Sequence, residues 1–204
     1  MPHVVRLFDV FYATHVARVY LVLELMDWGS LQHLLEAQRV SQLQKRMPEP
    51  VLAAMLARVA AALHFLHYER QIIHRDLKPS NIVLSSSGLT KLADFGVSRV
   101  LEGGGEMSWV GTASYMSPER VRGETSYTHT ADVWSFGILL LECAVGRHPF
   151  EDVHASPIEL SERIADDPPP LPAREEAHNL SASLLDLLRG CLKKEESERL
   201  TSRD

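Results

Sequence analysis

The stretch His74-Arg75-Asp76-Leu77-Lys78-Pro79-Ser80-Asn81 is followed, thirteen residues after Asn81, by Asp94-Phe95-Gly96, and the rest of the chain is best read outward from this pair. Immediately upstream, Leu52, Met55, Leu56, Val59, Leu63 and Leu66 recur at spacings of three and four, which predicts a long amphipathic helix with an Ala-rich body. Immediately downstream, Ile82–Leu84 and Leu89–Leu92 flank Ser85-Ser86-Ser87-Gly88, which predicts a small hairpin. The octet is therefore a loop between a helix and a hairpin.

Further out, the apolar stretches His3–Tyr12 and Arg18–Met26, separated by the break Ala13–Ala17, read as an antiparallel pair. Leu31, Leu34 and Leu35 follow as a short helix with Ser30 as its N-cap. Between Phe95 and Pro118 no period is visible, and Gly103-Gly104-Gly105 lies within it, which marks a mobile functional loop. Asp132–Val145 is apolar nearly all round, the signature of a buried helix, with Gly146 as its stop. Asp166–Pro172 is a proline-rich connection, and Leu184, Leu185, Leu188, Cys191 and Leu192 mark a last helix capped by Ser181 or Ser183.

Lys and Arg number 21 against 27 Asp and Glu, a net charge of −6, which argues against a broad nucleic-acid surface and against attraction to acidic lipid. The apolar run from Ile138 to Leu141, continuing through Cys143 to Val145, is interrupted by Glu142 and falls short of the roughly 20 residues that span a bilayer, so no membrane insertion is expected. No signal or transit pattern opens the chain. Cys143 and Cys191 are too few and too far apart for a disulfide framework or a zinc site and suit a reducing compartment, so a cytoplasmic location, extending to the nucleus, is expected.

His74–Asn81 with Asp94-Phe95-Gly96 resembles the catalytic core of protein kinases. The resemblance implies an α+β protein-kinase-like fold, with a mainly helical C-terminal lobe at 27–204 and a two-stranded remnant of the N-terminal lobe at 1–26. It implies ATP and Mg²⁺ as cofactors. Phosphoryl transfer concentrates negative charge, so such a site needs hard oxygen ligands, a cation for the phosphates and a carboxylate for the attacking hydroxyl. By resemblance Asp76 accepts the substrate proton, Lys78 neutralises the transferring phosphate, Asn81 and Asp94 hold the metal, and Thr112 completes the catalytic set. Tyr20–Met26 resembles the strand entering a kinase hinge. There the Glu24 carbonyl and the Met26 N–H would meet the adenine edge, Leu23 would guard the pocket behind it, and Val83 would pack beneath the ring. Arg199 occupies the place of the Arg that pairs with Glu119, the acidic residue of the Pro-Glu step.

The segment Val110-Gly111-Thr112-Ala113-Ser114-Tyr115-Met116-Ser117-Pro118-Glu119-Arg120, with Val97-Ser98-Arg99 after Asp-Phe-Gly, is similar to that of the MAP kinase kinases, dual-specificity enzymes that phosphorylate Thr and Tyr of a MAP kinase. Ser117 is discriminating: many Ser/Thr kinases have Ala there, while the NimA-related kinases share the Ser. The implied partners are a MAP kinase substrate and an upstream MAP kinase kinase kinase. Of the family's two phospho-acceptors, Ser108 matches the second and Gly104 occupies the first, and phosphate on Ser108 is expected to order the loop opposite Arg75. Neither a Gly-x-Gly-x-x-Gly nor a Val-Ala-Ile-Lys occurs in the 204 residues, so the chain is expected to be a fragment, and inactive alone. The alternative is a non-catalytic scaffold for the same pathway.

Three further features read as structural. His64 and His67 are ordinary helix residues without a third ligand, Pro168-Pro169-Pro170-Leu171-Pro172 is a surface connection rather than a polyproline ligand, and Lys193-Lys194 beside Glu195-Glu196 is a solvated helix end.

Overall fold

The computed structural model describes residues 2–41, 46–93, 113–124, 128–153 and 156–204. Strands β1 (Leu7–Ala13) and β2 (Arg18–Leu23) form an antiparallel ribbon, with Phe11 opposite Tyr20 and a bulge between Leu7 and Asp9. Both faces of the ribbon are exposed, as an isolated pair of strands must be. It is tied to the lobe below by residues 3–5, which run along Leu92 (Val5 N–H to the Leu92 carbonyl, 2.9 Å), and by the Glu24–Lys91 ion pair at 2.5 Å.

Helix α1 (Leu31–Ser41) starts where expected, although Ser30 caps it in an unusual way. The Ser30 hydroxyl bonds His33 Nδ1 (3.2 Å), and the Ser30 N–H donates to the same nitrogen (3.3 Å), so the His takes the place that Glu holds in a capping box. Helix α2 (Glu49–His64) begins with Pro50 in its first turn and runs into a π-helical turn at Phe65–Glu69. Its apolar residues Leu52, Met55, Leu56, Val59 and Leu63 are all buried, with Leu66 beyond them. By length and composition Glu49–Glu69 could cross a membrane, contrary to the expectation drawn from the shorter apolar run. Its place in the lobe, packed on the next hairpin and on the central helix, is that of a core helix.

Strands β3 (Ile82–Leu84) and β4 (Thr90–Leu92) close the expected hairpin, with Gly88 at φ 78° in its turn. The short helix α3 (Pro118–Val121) leads to α4 (Thr130–Val145), in which every residue up to Ala144 is buried and Gly146 at φ 84° ends the helix. Helices α5 (Pro157–Asp166) and α6 (Arg174–Ala177) are additions to the sequence reading. Helix α7 (Ala182–Cys191) settles the choice of cap: the Ser181 hydroxyl accepts the Leu184 N–H at 3.2 Å. Helices α4 and α7 pack closely because Gly137 faces Cys191 and Leu192, where an added Cβ would lie 2.8 Å from each.

This is the expected α+β architecture, helical with, among the described residues, two small two-stranded sheets. The reading of Lys194 is corrected. Lys194 is no solvated helix end: its Nζ donates to the Ile164 carbonyl (2.5 Å) and lies over the Trp134 ring (5.4 Å), capping the C-terminus of α5. Burial pushes its pKa down to about 8. Glu196 likewise accepts from both Thr128 and Thr130 at the start of α4.

Candidate active site

Asp132, in the first turn of α4, is wholly buried and organises the octet. One carboxylate oxygen accepts the His74 N–H (2.7 Å) and bonds His67 Nε2 (2.8 Å), while the other accepts the Arg75 N–H (2.8 Å). Burial raises its pKa, but the bond from His67, the nearby imidazoles and the Arg75 amide more than offset this, leaving it below the ordinary range. The same clamp holds Arg75 at φ 69°, a conformation that costs a non-glycine residue energy and that the fold must impose. His67 is thus no ordinary helix residue. It joins the Ser202 hydroxyl (2.8 Å) to Asp132, while His64 Nδ1 reaches the Ser202 carbonyl (3.0 Å). Among the described residues no cluster of His, Cys, Asp or Glu is placed to hold a metal.

The clamped turn presents Asp76. His74 Nε2 donates to the Ala93 carbonyl (3.1 Å), and Nδ1 accepts the Asp76 N–H (3.3 Å). The Asp76 carboxylate is buried, and its Oδ2 accepts from Asn81 Nδ2 (3.0 Å) and pairs with Lys78 Nζ (3.0 Å). Oδ1, although buried, has no hydrogen-bond partner among the described residues, a rare state for a carboxylate oxygen. Asn81 Nδ2 also donates to the Asp76 carbonyl (2.7 Å), which commits the amide nitrogen and leaves Oδ1 as the accepting atom. The structure thus brings Asp76, Lys78 and Asn81 together. Asp94, Ser108 and Thr112 lie outside the described residues, as does most of the expected loop.

The residues expected at the hinge lie along the same hairpin toward its turn. Leu23 ends β2 half-exposed, and the Met26 carbonyl accepts the Gly29 N–H (3.4 Å). Val83, half-buried on β3, forms an antiparallel bridge with Ser30. The Glu24 side chain bonds Lys91, which holds its pKa below the ordinary range. Lys91 carried no signal in sequence: its burial at the ribbon's base becomes visible only in three dimensions.

Below the site, Arg199 grips Glu119 through two bonds (2.8 and 3.0 Å), both residues being buried, and also donates to the Thr130, Lys193 and Lys194 carbonyls. This is the pairing expected from sequence. Tyr115 was not singled out as a site residue, yet its hydroxyl donates to buried Glu142 (2.5 Å), which Arg39 also bonds (2.7 Å).

The donor set suits a magnesium nucleotide. Asn81 Oδ1 is a hard oxygen of the kind Mg²⁺ takes, and Lys78 Nζ, 3.0 Å from Asp76 Oδ2, is a cation on the same loop.

A model of the protein kinase domain matches residues 1–204. The chain is similar to mitogen-activated protein kinase kinase 2 of Arabidopsis thaliana, 38% identical over 211 aligned residues that cover 100% of this chain and 54% of the plant protein. It is 38% identical to MAP kinase kinase skh1/pek1 of Schizosaccharomyces pombe, over 97% of this chain and 54% of that one. It is 36% identical to dual specificity mitogen-activated protein kinase kinase dSOR1 of Drosophila melanogaster, over 97% and 53%. The chain spans about half the length of these relatives. On the match to the domain over its whole length, with the catalytic-loop geometry that accompanies it, the chain belongs to the protein kinase family.

Proposed function

We propose that the protein is a dual-specificity MAP kinase kinase that transfers the ATP γ-phosphate to Thr and Tyr of a MAP kinase, under an upstream MAP kinase kinase kinase, in the cytoplasm and nucleus. The observation that carries the chemistry is the Asp76 carboxylate, buried and held by one oxygen while the other has no partner among the described residues. The names of the relatives support the substrate class.

A substrate hydroxyl donates to Asp76 Oδ1. As its oxygen bonds phosphorus, the proton passes to Asp76 and ADP leaves with the electrons of the broken P–O bond. Lys78, 3.0 Å from Asp76 Oδ2, offsets charge on the transferring group and orients the carboxylate. Asn81 and Asp94 would hold Mg²⁺, which when bound neutralises phosphate charge. Leu23, Glu24, Met26 and Val83 would seat the adenine. Ser108 carries the regulatory phosphate in this reading, with Arg75 as its partner.

The test joins this chain to the smaller lobe of a MAP kinase kinase, since no Gly-x-Gly-x-x-Gly sequence occurs in residues 1–204, and offers it a catalytically dead MAP kinase with radiolabelled ATP. Phosphoamino-acid analysis should find label on both Thr and Tyr. Label on Ser or Thr alone would refute dual specificity, and tight binding without label would favour the scaffold.

A further inference from the structure

The hairpin that ends in the Asn81–Ala93 contact is fastened to the hinge by a side-chain clamp outside the catalytic motifs. Asp27 lies just past Met26, and its carboxylate takes both donors of one residue in the hairpin turn. The Ser86 N–H reaches Oδ1 at 2.8 Å and the Ser86 hydroxyl reaches Oδ2 at 2.5 Å. Two backbone bonds run beside it, from Trp28 N–H to the Leu84 carbonyl (3.1 Å) and from Leu84 N–H to the Gly29 carbonyl (2.8 Å). Ser30 and Val83 bridge in the same sense, so residues 28–30 lie along β3 as a short third strand. Gly29, at φ 72°, turns the chain into this register. At the other end of the hairpin the Ala93 N–H donates to the Asn81 carbonyl at 2.8 Å. One small rigid piece therefore carries the hinge at one end and Asn81 at the other.

We propose that Asp27 and Ser86 are positioning residues. Their clamp sets the hinge backbone in register with the hairpin, and so fixes the distance between the adenine-binding edge and the residues that face the phosphates. The functional half of this rests on the kinase reading above, whereas the clamp itself does not. Both residues are exposed, so the clamp is open to water and works by geometry. A carboxylate accepting two bonds from one residue fixes direction as well as distance, which a single bond cannot do. Thr supplies the same two donors as Ser, Ala keeps only the amide, and Asp puts a like charge against Asp27.

The test is native-state hydrogen exchange of the Trp28 and Leu84 amides in the 204-residue chain, for wild type and for Ser86→Ala, Ser86→Thr, Ser86→Asp and Asp27→Ala. Ser86→Ala and Asp27→Ala should speed exchange at both amides by about three- to fivefold, the scale of an exposed charge-assisted contact, and Ser86→Asp should speed it more. Ser86→Thr should match wild type. Unchanged exchange in both alanine variants, or Ser86→Thr behaving like Ser86→Ala, would overturn the clamp. In the chain joined to a smaller lobe, the alanine variants should raise KM for ATP with kcat little changed, and equal KM would overturn the positioning role. Absence of phosphoryl transfer in wild type as well would count against the kinase reading and leave the exchange result standing.

Discussion

The ribbon β1–β2 and the helix α4 are both apolar nearly all round, and their fates are opposite. Phe11 is 50% exposed and Leu23 likewise, whereas Trp134 and Leu139 are at 0%. Helix α4 is surrounded: α2 and α7 pack on it, and Tyr115 and Arg39 reach Glu142 near its C-terminal end. The ribbon, among the described residues, meets the lobe mainly through the Leu92 ladder, the Glu24–Lys91 pair and the hinge. An apolar pattern states what a segment can bury; neighbours decide whether it does. The catalytic loop belongs to the buried side of this contrast, because its backbone hangs from Asp132 on α4.

The sharpest way to break the contrast is Asp132→Ala. It leaves His67 Nε2 and the His74 and Arg75 amides without their acceptor, and should cost about 3–5 kcal/mol, as losing one partner of a buried polar network does. Urea unfolding measures it, and a loss no larger than that of a surface mutant would show that α4 does not organise the loop. Next is Gly137→Ala, which drives a methyl against Cys191 and Leu192 and should cost about 1–3 kcal/mol by overpacking.

A gentler probe is acid. Burial pushes the Glu119 pKa up, yet the bonds and charge of Arg199 leave it net below the ordinary range. A carboxyl whose folded pKa is depressed adds stability above its unfolded value, and that stability is lost as pH falls through the folded value. The stability gap between wild type and Arg199→Leu should therefore narrow as the pH is lowered from neutrality through the ordinary Glu range of about 4.3 and below. A constant gap would mean the pair holds no charge-dependent stability. Smallest of all should be Phe11→Ala in the ribbon, within about 0.5 kcal/mol despite the lost ring stacking on Tyr20, since the ring already faces water. A cost of core size there would erase the comparison.

Much of this was legible in sequence wherever the signal was local. The spacing from Leu52 to Leu66 is a helix period, Gly146 is a stop, a serine at 181 or 183 is a cap, and the hairpin turn carries Gly88. The Glu119–Arg199 pair, eighty residues apart, was legible only through resemblance. Helix α5 was missed because only Leu160 and Ile164 of its ten residues are buried, too sparse a stripe to show a period. His67, Lys91 and Lys194 were misread or passed over for one reason: each owes its role to a partner distant in sequence, namely Asp132, Glu24 and Ile164. Charge beside charge in a sequence suggests solvent until the fold shows a carbonyl within reach.

The central claim is that Asp76 stands ready to accept a hydroxyl proton through its unbonded oxygen. The direct measurement is the rate of phosphate transfer to a MAP kinase by this chain joined to a smaller lobe, with Asp76 intact and as Asp76→Asn. The amide is nearly the same size and can still accept from Lys78 and Asn81, so the fold should survive, which circular dichroism checks. Transfer should fall by about 10²–10⁴-fold, the usual worth of a positioned general base. A folded Asp76→Asn protein that transfers phosphate at the wild-type rate would contradict the account.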